Sequence, residues 1–432
     1  MLQNLLNAWK SPELRKKLLF TAAILALYRF GSYVPAPGVN SDALAEALKN
    51  QGGIFGLLAV FSGGGLSRLG VFALGIMPYI TASIILQVMT PVFPSLQALQ
   101  KEGELGQRRI TQYTRYLTVF LAAVQALGYT YAFHSNAIGS SATGNLVKFN
   151  LGNVILVVIT LTAGATLLMW MGELITQRGI GNGMSLLIFA SILTSAPAGI
   201  SAWWQGSTFE KLSLPIVVFL VIVAVVYVQE GIRKIPIQYA KRMVGRRMTS
   251  GGSTYLPLRV NMAGVIPVIF AAAIMAFPPT VGQIVPWSFA HDMARFFTPG
   301  GWPFLIGEAV LIFGFTFFYV AVVFNSIEQA ENLKKYGGFV PGVRPGRPTA
   351  QYLEKVLVRL TVAGGLFLAA VAVLPDIIIG LFKVRAVGFG GTSVLIVVGV
   401  ALDTLQQVEW HLLMRHYEGF VKRGRIRGRS RM

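Results

Sequence analysis

The residues of this chain able to act as acids, bases, ligands or nucleophiles are few, and their spacing suits none of those tasks. There is no cysteine, which removes disulfides, thiolate metal sites and cysteine nucleophiles together. The four histidines, His134, His291, His411 and His416, show no metal-ligand spacing, and no HExxH motif occurs. No GxxxxGKS/T loop is present to bind a nucleotide. Gly179-Ile180-Gly181-Asn182-Gly183 is glycine-rich, but it joins two apolar runs and follows no strand, so it is no phosphate cradle. Ionisable residues inside the apolar runs are scarce. Arg29, Glu308 and Asp403 lie near run ends, where a side chain can snorkel to an interface. No metal, cofactor or enzymatic activity is expected.

What the sequence supplies instead is shape, apolar surface and positive charge. Between Gly52-Gly53 and Gly63-Gly64-Gly65 lies an apolar stretch, Ile54 to Phe61, far shorter than the roughly 20 residues that cross a bilayer. It reads as an exposed loop or as a re-entrant, movable segment, and its apolar character favours the second. Two further stretches, 230–260 and 326–355, are rich in Lys and Arg. A solvated face or contact with anionic lipid explains charge alone, at about 1 kcal/mol per basic residue near a membrane. It does not explain Pro341, Pro345 and Pro348 interleaved with glycine around Arg344 and Arg347, which fix a backbone shape. A shaped basic loop suits docking to a protein or an RNA surface.

These features need a frame, and the composition says what kind. The 432 residues are 54% apolar and 12% charged, against about 25% charged in soluble domains. Ten apolar runs lie near 18–34, 71–90, 113–133, 151–171, 183–199, 212–229, 261–277, 303–325, 356–374 and 387–406. Each is about long enough to span with some tilt, the fifth, seventh and ninth being short. Ser11-Pro12-Glu13 predicts a helix start before the first run rather than a cleavable signal peptide. Leu2, Leu5, Leu6 and Trp9 predict a short interfacial helix over 1–10. Of the 37 Lys and Arg, 28 fall on one side of the implied topology and 7 on the other, which places both termini in the cytoplasm. Ten runs with both ends on one side divide into five plus five of opposite topology, an inverted-repeat plan. The expected fold is an all-α polytopic membrane protein of ten transmembrane helices. Its N-terminal half is 1–205, its C-terminal half 206–411 and its basic cytosolic tail 412–432.

Four segments then carry a pattern in order along the chain: FALGIMPYITASI (72–84), GELITQRGIGNGMSLLIF (172–189), VNMAGVIPVIFA (260–271) and FGGTSVLIVV (389–398). With IPIQYAKR and GGFVPGVRPG in the two basic loops, they resemble the SecY family of protein-conducting channels of the bacterial Sec translocon. That resemblance implies a clamshell of two five-helix halves around a central pore. It implies an aliphatic constriction at Ile76, Ile80, Ile188, Ile192, Ile269 and Ile396, of which the first four form two i,i+4 pairs. It implies a plug over about 54–66, with Ile54, Phe55, Leu57, Leu58, Val60 and Phe61 followed by Gly63, Gly64 and Gly65, the glycines easing its displacement.

A lateral gate to lipid is implied at Pro78, Gln87, Asn261 and Pro267, the prolines favouring kinks within their helices. Arg242, Arg246, Arg247, Arg344 and Arg347 would dock the SecA ATPase or the ribosome, with Arg344 the coupling residue. Implied partners are SecE, usually SecG, anionic lipids and a polypeptide bearing a signal sequence, in a bacterial plasma membrane. Two other readings compete. An ion-coupled secondary transporter shares the five-plus-five plan but needs midplane charge, and an intramembrane hydrolase needs a nucleophile–base or metal set. The sequence offers little of either.

Overall fold

The computed structural model describes residues 11–39, 59–134, 151–239, 242–244, 247–249, 253–276, 278, 288–298, 300–382 and 390–423. The interfacial helix expected over 1–10 and the last residues of the basic tail lie outside that set. Each of the ten apolar runs coincides with a helix: α1 (Pro12–Tyr33), α2 (Met77–Met89), α4 (Glu104–His134), α5 (Leu151–Arg178), α6 (Gly183–Gln205), α7 (Thr208–Glu230), α8 (Ile266–Met275), α10 (Trp302–Val323), α12 (Arg347–Phe382) and α13 (Gly391–Arg423). Shorter helices α3 (Pro94–Lys101), α9 (Ser288–Phe296) and α11 (Ser326–Lys335) sit between them. Among the described residues seven helices are long and apolar enough to cross a membrane, or eight if α2 and α3, bent by 96°, count as one span.

The runs at 71–90 and 261–277 become helical only in their later parts, and the backbone gives the reason. Gly75 and Gly264 hold φ of +58° and +60°, in the left-handed region where an α-helix cannot propagate. The next residues, Ile76 and Val265, cap α2 and α8 with nearly identical angles, φ −94° ψ −4° and φ −96° ψ −5°. Pro78 and Pro267 then fall at the second helical position. Expected to kink their helices, they instead start them: a first-turn residue has no intrahelical partner for its N–H, so proline loses nothing there.

The chain divides into two compact units, Met1–Pro197 with Val400–Met432 and Ala198–Gly399. Each contains the same local assembly. In the first, Gly164 of α5 lies so close to the Val71 carbonyl that a Cβ would stand 1.9 Å from its oxygen; in the second, Gly364 of α12 would stand 2.8 Å from the Val260 oxygen. Val71 and Val260 are each four residues before the left-handed glycine. Eight residues further along α5 and α12, the carbonyls of Gly172 and Ala372 receive Gly183 and Gly391, the first residues of α6 and α13, with Cβ positions 1.9 and 2.0 Å away. Repetition of two tertiary contacts with matched spacing marks an internal duplication, in line with the five-plus-five plan.

The two basic loops fold on the second unit. β1 (Ile232–Tyr239) pairs antiparallel with β4 (Ser253–Arg259), Ile235 opposite Leu256, and with β5 (Gly338–Phe339) on its other edge. Short strands β2 (Arg242–Val244) and β3 (Arg247–Thr249) form their own ladder between β1 and β4. Ile235 and Leu258 pack with Val340, Leu353 and Leu357, which ties the sheet to the start of α12.

Adding one methyl group tests the close helix approaches. Gly183→Ala and Gly391→Ala are expected to destabilise by about 1–3 kcal/mol through overpacking. Gly314→Ala, in α10 with open space at its Cβ, is expected to be neutral or stabilising. Thermal midpoints of the purified variants in detergent check this.

Candidate functional site

The six isoleucines of the expected constriction are all buried, between 0% and 5% exposed. Ile76, Ile80, Ile188 and Ile192 belong to the first unit, Ile269 and Ile396 to the second. The duplication gives their positions a common origin. Ile80 and Ile269 each donate their backbone N–H to the helix-capping residue four before them, at 3.1 and 3.2 Å. Ile188 and Ile396 each sit five residues past the close-approach glycine that begins their helix. Ile76 and Ile192 match Val265 and Val400, also aliphatic and 2% exposed. Val265 and Val400 were not among the expected ring residues; the recurrence of Gly-x-x-Pro at 75–78 and 264–267 signals the first, and the position nine after Gly183 and Gly391 the second. Side chains of this kind offer neither hydrogen bond nor charge.

Of the expected plug, Ile54, Phe55, Leu57 and Leu58 lie outside the described residues. Val60 is half-buried, Phe61 is buried, and Gly63 and Gly64 take φ of +62° and +81°. The glycines are not simply a loose hinge. Gly63 is pressed against α1 and α6, where a Cβ would stand 2.7 Å from the Tyr28 hydroxyl and 3.4 Å from Ser191 Cα. That hydroxyl shares a 2.5 Å hydrogen bond with Ser191 Oγ. Arg29 Nη1 donates to the Gly63 carbonyl at 2.9 Å. Arg29 is in turn set over the Tyr33 ring, 4.4 Å from its centroid, and donates to the Tyr33 hydroxyl. Arg68, just past the glycines, approaches the same ring at 5.0 Å. The trailing end of this segment is therefore nailed to α1, and Arg29, expected only to snorkel, is the nail.

Pro78 and Pro267 start α2 and α8. Gln87, on α2, is half-buried, and its amide donates to Ser83 Oγ at 3.0 Å. Asn261 is 4% exposed; its Nδ2 donates to the Gly264 carbonyl at 3.0 Å, while Oδ1 has no partner. Gln229 Nε2 is likewise buried without a partner. Arg242 and Arg247 lie on the β2–β3 ladder, and Arg246 falls outside the described residues. Arg344 and Arg347 are exposed on tandem Pro-Gly turns. In the first, Val343 N–H reaches the Val340 carbonyl at 3.0 Å across Pro341 and Gly342, whose φ of +84° is what a type II turn requires. Val340 and Thr349 are buried on either side, and Thr349 Oγ1 donates to the Arg344 carbonyl at 2.8 Å. The arginines are thus carried on a backbone held from beneath.

Buried charge departs from the expectation. Glu308, expected to snorkel, is 3% exposed inside α10, and its Oε2 has no partner. Asp376 of α12, which the sequence reading did not single out, lies within electrostatic reach of it and accepts the Gly391 N–H at 3.3 Å, an acid at the positive end of α13. Among the described residues no group of three or more potential metal ligands occurs.

The chain matches a family model for SecY over residues 70–405. It is 46% identical to the protein translocase subunit SecY of Corynebacterium glutamicum, over 97% of this chain and 99% of that one. Among solved structures, it is similar to a SecY protein whose plug domain stabilises the closed state of the translocation channel and maintains a membrane seal. The TM-score is 0.63 at 19% identity over 91% of both chains. It is also similar to Sec61 in the canine ribosome–channel complex from the endoplasmic reticulum, with a TM-score of 0.58 at 19% identity over 91% of both chains.

Replacing Arg29 with Met removes a charge-assisted hydrogen bond of about 1.5–3 kcal/mol. Hydrogen exchange at the backbone amides of 63–66 is expected to accelerate by roughly tenfold or more. Unchanged protection there would mean that Tyr28 and Ser191 alone hold the segment.

Proposed function

This chain belongs to the SecY family, and from that premise we propose that it is the channel subunit of a preprotein translocase. It passes unfolded polypeptides across a bacterial plasma membrane and releases apolar segments sideways into lipid. One observation carries the reading: aliphatic residues, and no ionisable ones, recur at equivalent buried positions of the two repeats. A transporter that coupled ion flow to solute uptake would need charge at these positions, and family membership also sets that alternative aside.

The mechanism follows from the chemistry of the proposed ring. An aliphatic constriction dewets, so water and ions are refused without a charged gate. It is equally indifferent to the side chains that pass, which suits a substrate of every composition. The segment ending at Gly63-Gly64-Gly65 acts as the plug, with Arg29 holding its trailing end. Sideways release occurs beside α2 and α8. Each Leu, Ile, Phe or Val of a signal segment gains about 0.3–0.6 kcal/mol on entering lipid, while a polar chain continues through the pore.

The chain has no nucleotide-binding loop, so energy must come from a partner. Arg344 and Arg347, on their pinned turns, with Arg242, Arg246 and Arg247 would dock a SecA ATPase or a ribosome, and anionic lipid would lie beneath them. The 28-to-7 division of basic residues supports cytoplasmic termini and loops. SecE, and usually SecG, would complete the complex.

Two outcomes test this reading. Ile269→Asn or Ile396→Asn is expected to wet the constriction and raise resting ion conductance in planar bilayers; conductance equal to wild type would remove those residues from the ring. Arg344→Glu sets like charge against an acidic docking surface, which costs several kcal/mol. SecA- and ATP-driven export into reconstituted vesicles is then expected to fall by at least roughly tenfold, with the folded channel intact. Full export would sink the coupling role.

A further inference from the structure

In the first unit, α4 and α5 are joined by an ion pair at the end of α5 nearest Arg178. Arg115 Nε and Nη2 form a fork on Glu173, 2.8 and 2.7 Å from its two oxygens. The fork uses two of the five guanidinium donors and leaves three. It is not sealed: the Arg115 side chain is 44% exposed and that of Glu173 13%. Outside it runs a groove of about 330 Å³ whose floor is one face of α5. Thr166, Met169, Trp170, Glu173 and Gln177 follow at helical spacing, covering about 16 Å of helix.

The groove is polar at one end and apolar at the other, in the direction a membrane imposes. Gln177, Glu173 and Arg115 lie at the helix end, at interface depth. Met169, which is buried, lines the groove floor, and the exposed face of Trp170 lies toward the hydrocarbon. The three remaining guanidinium donors are available to a phosphate seated in the groove. An ion pair presents both signs at once. A headgroup of one sign meets repulsion from one member, whereas a zwitterion matches both.

We propose that this groove is a binding site for a zwitterionic glycerophospholipid with a phosphoethanolamine headgroup. Its phosphate accepts from Arg115, its ammonium approaches the free lone pairs of Glu173, and an acyl chain lies along the exposed face of Trp170. The site lies within electrostatic reach of Tyr79 on α2, and needs only that the chain resides in a bilayer.

The test uses the purified full-length protein in detergent micelles containing equal amounts of phosphatidylethanolamine and phosphatidylglycerol with identical acyl chains, the retained lipids being counted by native mass spectrometry. The expected wild-type result is one retained lipid per chain, with the ethanolamine lipid favoured by roughly tenfold, the scale of one charge-assisted hydrogen bond. Glu173→Gln keeps the phosphate contact and loses the ammonium contact, so lipid stays bound while the preference falls to parity or reverses. Replacing both Arg115 and Glu173 with Met removes the pair without leaving a lone charge, which tends to preserve stability. That variant is expected to melt near the wild-type midpoint and retain neither lipid selectively. Equal retention of the two lipids by wild type, or an undiminished ethanolamine preference in the Met/Met variant, overturns the proposal.

Discussion

Where Gly183 rests on the carbonyl of Gly172, and Gly391 on that of Ala372, only a hydrogen atom fits between one helix and the next. Much of the arrangement depends on that closeness. It fixes where α6 and α13 begin against α5 and α12, and so the height at which Ile188 and Ile396, five residues later, are presented. The same helices accept the backbone of 71 and 260 at Gly164 and Gly364, which sets where α2 and α8 start. Lipid supplies no hydrophobic drive to push helices together, because its tails are as apolar as leucine. Close packing and satisfied hydrogen bonds must do so.

Polar groups inside the helices follow the same economy. Buried Thr114, Thr118, Thr130 and Thr316 each turn their hydroxyl back to the carbonyl four residues earlier, so they enter apolar surroundings without seeking a partner on another helix. Side chains that do reach across elements are correspondingly informative. Tyr28 meets Ser191, Arg29 meets Gly63, and Arg115 meets Glu173. Each joins segments that must hold a defined relation: the helices of the first unit to one another, or the glycine segment to α1. The basic loops obey a different rule. They leave the apolar environment, and so they rely on a small hydrophobic core under β1, β4 and α12 to stiffen turns whose outer faces carry arginine.

The properties visible along one dimension were legible in the sequence: the ten apolar runs, the asymmetry of Lys and Arg, and the Pro-Gly signature of 340–347. These arise from local composition and from the bilayer, which acts on every residue alike. The prolines were misplaced for the same reason. Pro78 and Pro267 lie within apolar runs, and only the backbone reveals that Gly75 and Gly264 delay the helix until those prolines occupy its first turn. Glu308 was misplaced because its position near a run end matches snorkelling, whereas burial depends on how neighbouring helices pack around it.

The sequence by itself determined that this is a polytopic membrane protein with one strongly basic side, no redox or metal chemistry of its own through cysteine, and motifs like those of the SecY family. Hydropathy, charge count and residue identity need no partner to be read. Tertiary structure decided which glycines are contact points, that the second repeat copies the contacts of the first, and that Arg29 secures a segment 34 residues away. It also decided that the Arg115–Glu173 ion pair opens onto a groove along α5. Those are relations between residues distant in sequence, and the distances that define them come into being only when the helices pack.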